Sequence, residues 1–173
     1  MGERRGLSPP TAPLERVAIE VCCASSAGVA AAAAAGAERV ELCRRLDLDG
    51  LTPGADLVEA ALRLPLRVHA MVRPRAGDHR VDAATLGQML DEIAVLARLG
   101  VHGVVLGCLT GRGGIDREAT ARLVDAARPR AVTFHRAVDA CRDRATAIDA
   151  LAALGVERVL TAGGPWRVAE AAG

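Results

Sequence analysis

The sequence predicts an α/β fold built on a parallel sheet, and three observations carry the prediction. Short β-branched runs alternate with Ala- and Leu-rich stretches of helical spacing. Helical stretches close on a glycine that leads into the next strand, as at Leu99-Gly100-Val101. A five-residue pattern also repeats, Gly36-Ala37-Glu38-Arg39-Val40 returning as Gly155-Val156-Glu157-Arg158-Val159. Repeated strand–helix–glycine–strand units give parallel strands, because each helix carries the chain back to the end where the previous strand began.

Six strands are expected, over Val17–Cys23, Arg39–Cys43, Arg67–Arg73, Gly103–Leu109, Ala131–Ala137 and Arg158–Ala162. After the first, Ser25 or Ser26 caps an Ala-rich helix that ends at Gly36. Thr52-Pro53 then supplies an N-cap followed by proline at the first helical position. Asp82 opens a long helix ending near Gly100, with Leu86, Met89, Leu90, Ile93, Leu96 and Ala97 on one face. Asp116 begins a fourth helix, and a fifth over Arg144–Leu154 stops at Gly155. Residues 1–16 are Arg- and Pro-rich without an apolar core, and read as a disordered leader.

The glycine-rich turn of a dinucleotide-binding sheet does not follow strand one, where the chain reads Cys-Cys-Ala-Ser-Ser. A closed (β/α) barrel of the TIM type usually needs ~250 residues, and this chain has 173, enough for about six of eight strands. The fold class is therefore parallel α/β, TIM-barrel-like and incomplete. An open doubly wound sheet is the competing architecture.

Bulk composition excludes several function classes. With 22 basic against 21 acidic residues the net charge is +1, which gives no attraction to nucleic acid or to an anionic membrane. One Phe, one Trp and no Tyr leave no base-stacking platform. No apolar run approaches the ~20 residues of a membrane span. Five cysteines at irregular spacing suit reduced thiols in the cytoplasm better than a disulfide framework or a paired zinc motif.

Side chains two apart share a strand face. On strand one, Glu20 and Cys22 share a face opposite Val21 and Cys23; on strand two, Glu41 and Cys43 oppose Val40 and Leu42. The aliphatic faces belong against the helices, so the Glu-x-Cys faces point inward. Strand three adds His69 and Arg73 to that side, and strand five adds Thr133 and His135. The expected site is a mixed-charge cavity near the C-terminal strand ends. Cys22 and Cys43, on neighbouring strands, are candidate ligands for one soft ion such as Cu(I), whereas Cys23 and Cys108 read as packing. Glu20, Glu41 and His135 are candidate acid–base groups, and Arg73, Arg75 and Arg136 candidate anion-binding groups. For each carboxylate–arginine pair an internal salt bridge is the competing reading.

In order along the chain, EVCCASS, GAERVELC, GLTPG, VRPRAGD, VVLGCLTG with IDRE, VTFHRAVDAC and GVERVLTAGG resemble the copper homeostasis protein CutC family from about Val17 to Gly164. The resemblance implies a cytoplasmic TIM barrel tied to copper, with Cys22 and Cys43 as the Cu(I)-associated thiols. It also implies a mouth lined by Glu20, Glu41, Arg73, Arg75, Asp78, His135, Arg136 and Asp139. Two readings of function follow: Cu(I) binding by the two thiolates, or an enzyme doing acid–base chemistry on a small anionic substrate. The sequence departs from the family pattern at Ala76, at His79-Arg80-Val81 and at Asp49, and lacks strands seven and eight. Two open strand edges are then expected, and a homodimer is one arrangement that covers them.

Overall fold

A computed structural model describes residues 17–164. Six strands alternate with five α-helices: β1 (Glu20–Cys23), α1 (Ser26–Ala34), β2 (Arg39–Leu42), α2 (Ala55–Leu62), β3 (Arg67–Met71), α3 (Ala83–Leu99), β4 (Gly103–Leu106), α4 (Arg117–Ala127), β5 (Ala131–Phe134), α5 (Arg144–Ala153) and β6 (Arg158–Val159). All pairings are parallel, and the strands lie in the order of the chain, β1 to β6. That order rejects the doubly wound alternative, in which the strand order reverses at a switch point. Right-handed crossovers that always advance in one direction put every helix on the same face, so the sheet curls as part of a barrel wall. The segment expected to be a disordered leader lies outside the described residues.

Four of the helices start on a side-chain cap. Ser25 Oγ accepts from Gly28 N, Asp82 from Thr85 N, Asp116 from Ala119 N and Asp143 from Thr146 N, each satisfying one orphan amide of the first turn. The expectation at Thr52-Pro53 is corrected, because Gly54 takes the cap position of α2. The Thr52 hydroxyl is committed elsewhere, donating to Glu92 and accepting from Arg73 N at 2.8 Å.

The main core lies between sheet and helices. Val40, Leu42, Val68, Val104, Leu106, Val132 and Phe134 on the strands meet Val58, Met89, Ile93, Leu123 and Leu151 on the helices. Each such side chain, fully buried, contributes about 1.5–3 kcal/mol. Cys23 belongs to this layer, as its parity requires. The opposite, inner face carries a small separate cluster of Cys43, Met71 and Val105. Strand parity therefore sorts the two cysteines of the Cys22-Cys23 pair onto different faces.

The strands are shorter than the sequence suggests. Cys43 and Arg73 lie just past the ends of β2 and β3, and His135 just past β5. His135 N still bonds Leu106 O at 2.8 Å, but the chain then turns into a short 3-10 helix over Arg136–Ala140. The polar side chains at the sheet's C-terminal edge thus sit on turns that the strands aim.

Candidate functional site

A cavity of about 280 Å³ opens at the C-terminal edge of the sheet. Cys22 and Glu41 enter it from β1 and β2, Arg73 from the end of β3, and His135 and Arg136 from the turn after β5. Loops contribute Asp49 and His79, and Met71 and Leu160 supply apolar wall.

Cys22 Sγ and Cys43 Sγ are 3.7 Å apart. In the parallel register Cys22 faces Glu41, so Cys43 is the diagonal neighbour one pleat further on. One thiol donates to the other, and their titration belongs to the pair. The shared hydrogen bond raises the Cys22 thiol, with burial and the Glu41 charge acting in the same sense, while that bond lowers Cys43. Glu41 is only 4% exposed, and burial, reinforced by Glu20, pushes its carboxyl up to about 7. Glu20 itself is ion-paired to Arg39 and does not line the cavity.

His135 is 5% exposed. Its Nδ1 accepts from Ala137 N at 3.2 Å, capping the 3-10 helix, which assigns the proton to Nε2. Its ring centroid is 4.8 Å from that of His79. Burial, with His79 and Arg73 alongside, holds the His135 pKa down at about 3, so the ring is neutral. The ring leans over Gly107, just past the end of the neighbouring strand β4, where an added Cβ would clash with Cε1. Deeper in the sheet the same device recurs: His69, 0% exposed, lies over Gly103, where an added Cβ would stand 2.6 Å from Cε1. Neither ring nitrogen of His69 has a hydrogen-bond partner among the described residues, and burial holds its pKa down at about 3.

Arg73 is 7% exposed and works first as a clamp. Nη1 donates to Leu48 O at 2.6 Å and Gly50 O at 2.9 Å, and Nη2 to Gly77 O at 3.0 Å. It thereby holds the loop after β2, where Arg45 and Asp49 both adopt left-handed backbone at φ 53° and 62°. Such conformations cost of order 1 kcal/mol each for non-glycine residues and need outside support. Arg73→Met is expected to lower stability by about 3 kcal/mol, through three lost charge-assisted hydrogen bonds. Trypsin cleavage at Arg44 and Arg45 should accelerate with it. A variant with unchanged denaturation midpoint and cleavage rate would show that the clamp carries nothing.

The other residues singled out in the sequence are distributed as follows. Arg75 and Asp78 do not line the cavity: Arg75 donates to Arg80 O at 2.5 Å, and Asp78 pairs with Arg80 and more loosely with Arg75. Asp139 has a side chain 2% exposed and faces Arg136 at 3.5 Å. It accepts from Thr161 Oγ1 and from Ala162 N, fastening the 3-10 helix to the end of β6. His79 and Asp49 were not anticipated as cavity residues. Both sit in loops, where no period of two or 3.6 assigns a direction.

Among the described residues no group of three or more His, Cys, Asp or Glu side chains converges to hold a metal ion. No helix among them is long and apolar enough to cross a membrane.

Comparisons with known proteins agree with this architecture. The family protein CutC of Mesorhizobium japonicum is 45% identical over 158 residues, covering 91% of this chain and 61% of the relative. That of Caulobacter vibrioides is 43% identical over 149 residues, covering 86% and 61%. The chain thus spans about three fifths of the length of the curated relatives it matches. A solved structure of CutC from Streptococcus agalactiae, named for copper homeostasis, superposes with a TM-score of 0.82 at 30% identity, covering 87% of this chain and 75% of that one. A Burkholderia cenocepacia structure named for phosphonomutase, 19% identical with a TM-score of 0.54, shares the fold alone. Residues 17–172 match the family profile, and the chain belongs to the CutC family.

Proposed function

We propose that this chain takes part in copper homeostasis by holding Cu(I) between Cys22 and Cys43. The observation that carries the reading is the 3.7 Å approach of two thiols from adjacent strands, one of them lining a cavity. Thiolate sulfur is the ligand class a soft monovalent ion selects. Two protein sulfurs are too few for a tetrahedral zinc site, which takes four ligands in structural form and three in catalytic form. The name of the Streptococcus agalactiae structure, drawn from copper homeostasis, points the same way. The reading also carries a reducing, cytoplasmic location, since Cu(I) capture needs both thiols free.

The chemistry asked of the protein is modest. Both thiols must lose their protons for full thiolate ligation. The proton already shared between them leaves one sulfur partly prepared, and the cavity gives the departing protons a route to water. Met71, beside Cys43 in the inner cluster, keeps that sulfur out of contact with solvent.

Competition against a chromogenic Cu(I) chelator tests the assignment. The Cys22→Ser/Cys43→Ser variant is expected to lose the tight site, while a Cys108→Ser/Cys141→Ser control, altered only in buried thiols outside the cavity, keeps it. Equal affinity in the wild type and the Cys22/Cys43 variant would reject the proposal.

A further inference from the structure

We propose that the cavity also holds a small oxyanion, a phosphate or carboxylate group, against the Arg73 guanidinium and the Nε2–H of His135. This goes beyond the copper reading and does not depend on it.

Two nine-tenths-buried groups point to an anion. Arg73 has no carboxylate within ion-pair distance among the described residues. Its carbonyl partners satisfy N–H groups but do not neutralise a whole charge, and its Nε is buried without a partner. Burial outweighs the opposing field of Asp49 at this guanidinium, and an anion placed beside it recovers part of that cost. His135 has given Nδ1 to the Ala137 amide, so Nε2–H is its donor, and no acceptor for it is found among the described residues. Both side chains line the same cavity, and Arg136 brings a second guanidinium to the wall.

Neutral imidazole is the right partner for this task, since it donates without adding a charge that would be costly in the empty cavity. His79 packs against the same ring at a tilt of 53°. The cavity is not uniformly basic, because Asp49 and Glu41 share its wall. A bare dianion is therefore less suited than a compact ligand with an acidic end and a hydroxyl donor, such as a small hydroxy acid. About 280 Å³ lies just below the ~300 Å³ at which ligand sites usually begin, so the ligand is small.

Calorimetric titration of the 173-residue chain with inorganic phosphate and with lactate, and with glycerol as the uncharged control, tests the proposal. One of the two anions is expected to bind with one-to-one stoichiometry at millimolar concentration, and glycerol is not. Phosphate binding alone points to a phosphoryl ligand, and lactate binding alone to a hydroxy acid. His135→Asn keeps an acceptor for the Ala137 amide but withdraws the distal N–H, and should weaken binding about tenfold. Imidazole ¹⁵N spectra should show the Nε2–H tautomer and a shift of that nitrogen on binding. The titrations use the metal-free chain, so their outcome is separate from that of the copper assignment. Absence of binding by both anions, or affinity indifferent to His135→Asn, overturns the proposal.

Discussion

Gly107→Ala is expected to destabilise the fold by about 1–3 kcal/mol, the range for forcing extra volume into a packed interior. The added Cβ would clash with Cε1 and stand 2.5 Å from Nδ1 of His135. The ring cannot simply swing aside, because Nδ1 is bonded to Ala137 N and the His79 ring lies against it. Relief of the clash would break the cap of the 3-10 helix that carries Arg136 and Asp139. A double-mutant cycle isolates the effect: in a His135→Ala background, Gly107→Ala should cost little, because the atoms it strikes are gone. Additive costs would mean that the two residues do not meet as described. Gly103→Ala with His69→Ala forms the parallel cycle one layer deeper, where the Cβ would stand 2.6 Å from the ring.

The second large effect is on stability as a function of pH. His69 and His135 both have folded pKa values of about 3, against an ordinary 6.5. Above about pH 6.5 both are neutral in folded and unfolded chains, and neither costs anything. As pH falls from 6.5 toward 3, the unfolded chain binds protons that the folded one refuses, so stability is lost with acidification. Each histidine contributes about 1.4 kcal/mol per pH unit once its titration is under way. Half-buried His79, also held down by burial, acts in the same direction.

Glu41 opposes them. Its folded pKa of about 7 against 4.5 means that the folded chain keeps a proton the unfolded chain releases, so its contribution falls as pH rises between those values. Between pH 4.5 and 6.5 it cancels about one histidine, and below 4.5 the cancellation ends. Depressed carboxyls such as Asp82 and Asp143, each hydrogen-bonded to a helix amide and a threonine, add their own loss in more acidic solution.

Urea midpoints at pH 7, 5.5 and 4.5 measure these slopes. His69→Leu should flatten the acid loss by about one proton. At pH 7 it should be neutral or stabilising, because it replaces a buried group without partners by an apolar one of similar size. Glu41→Gln should steepen the loss between pH 6.5 and 4.5. An unchanged slope in His69→Leu would remove the buried neutral histidine from the account.

The inner and outer faces of the sheet are legible in the sequence. Glu20 and Cys22 against Val21 and Cys23, and Glu41 and Cys43 against Val40 and Leu42, alternate with the strict period of a strand. A strand has only two faces, so one aliphatic set fixes the other. The caps at Ser25, Asp82 and Asp116 were legible for a similar reason, since a short polar side chain before an amphipathic run has one economical use. Thr52 misled because its hydroxyl is drawn into contacts with Glu92 and Arg73 N, partners 40 and 21 residues away.

The sequence by itself determined the parallel α/β class, the number of strands and the sidedness of Glu41, Cys43, His69, Arg73 and His135, because local period and capping chemistry act over a few residues. Only the tertiary structure decided that the strands run in chain order. It also took Glu20 out of the cavity by pairing it with Arg39, and it brought His79 and Asp49 in. It separated Arg73 from Arg75, and it matched Gly103 and Gly107 to the two imidazoles they admit. These are contacts between residues far apart in the chain or placed by loops, where direction is set by what the neighbouring strand leaves room for and no periodicity records it.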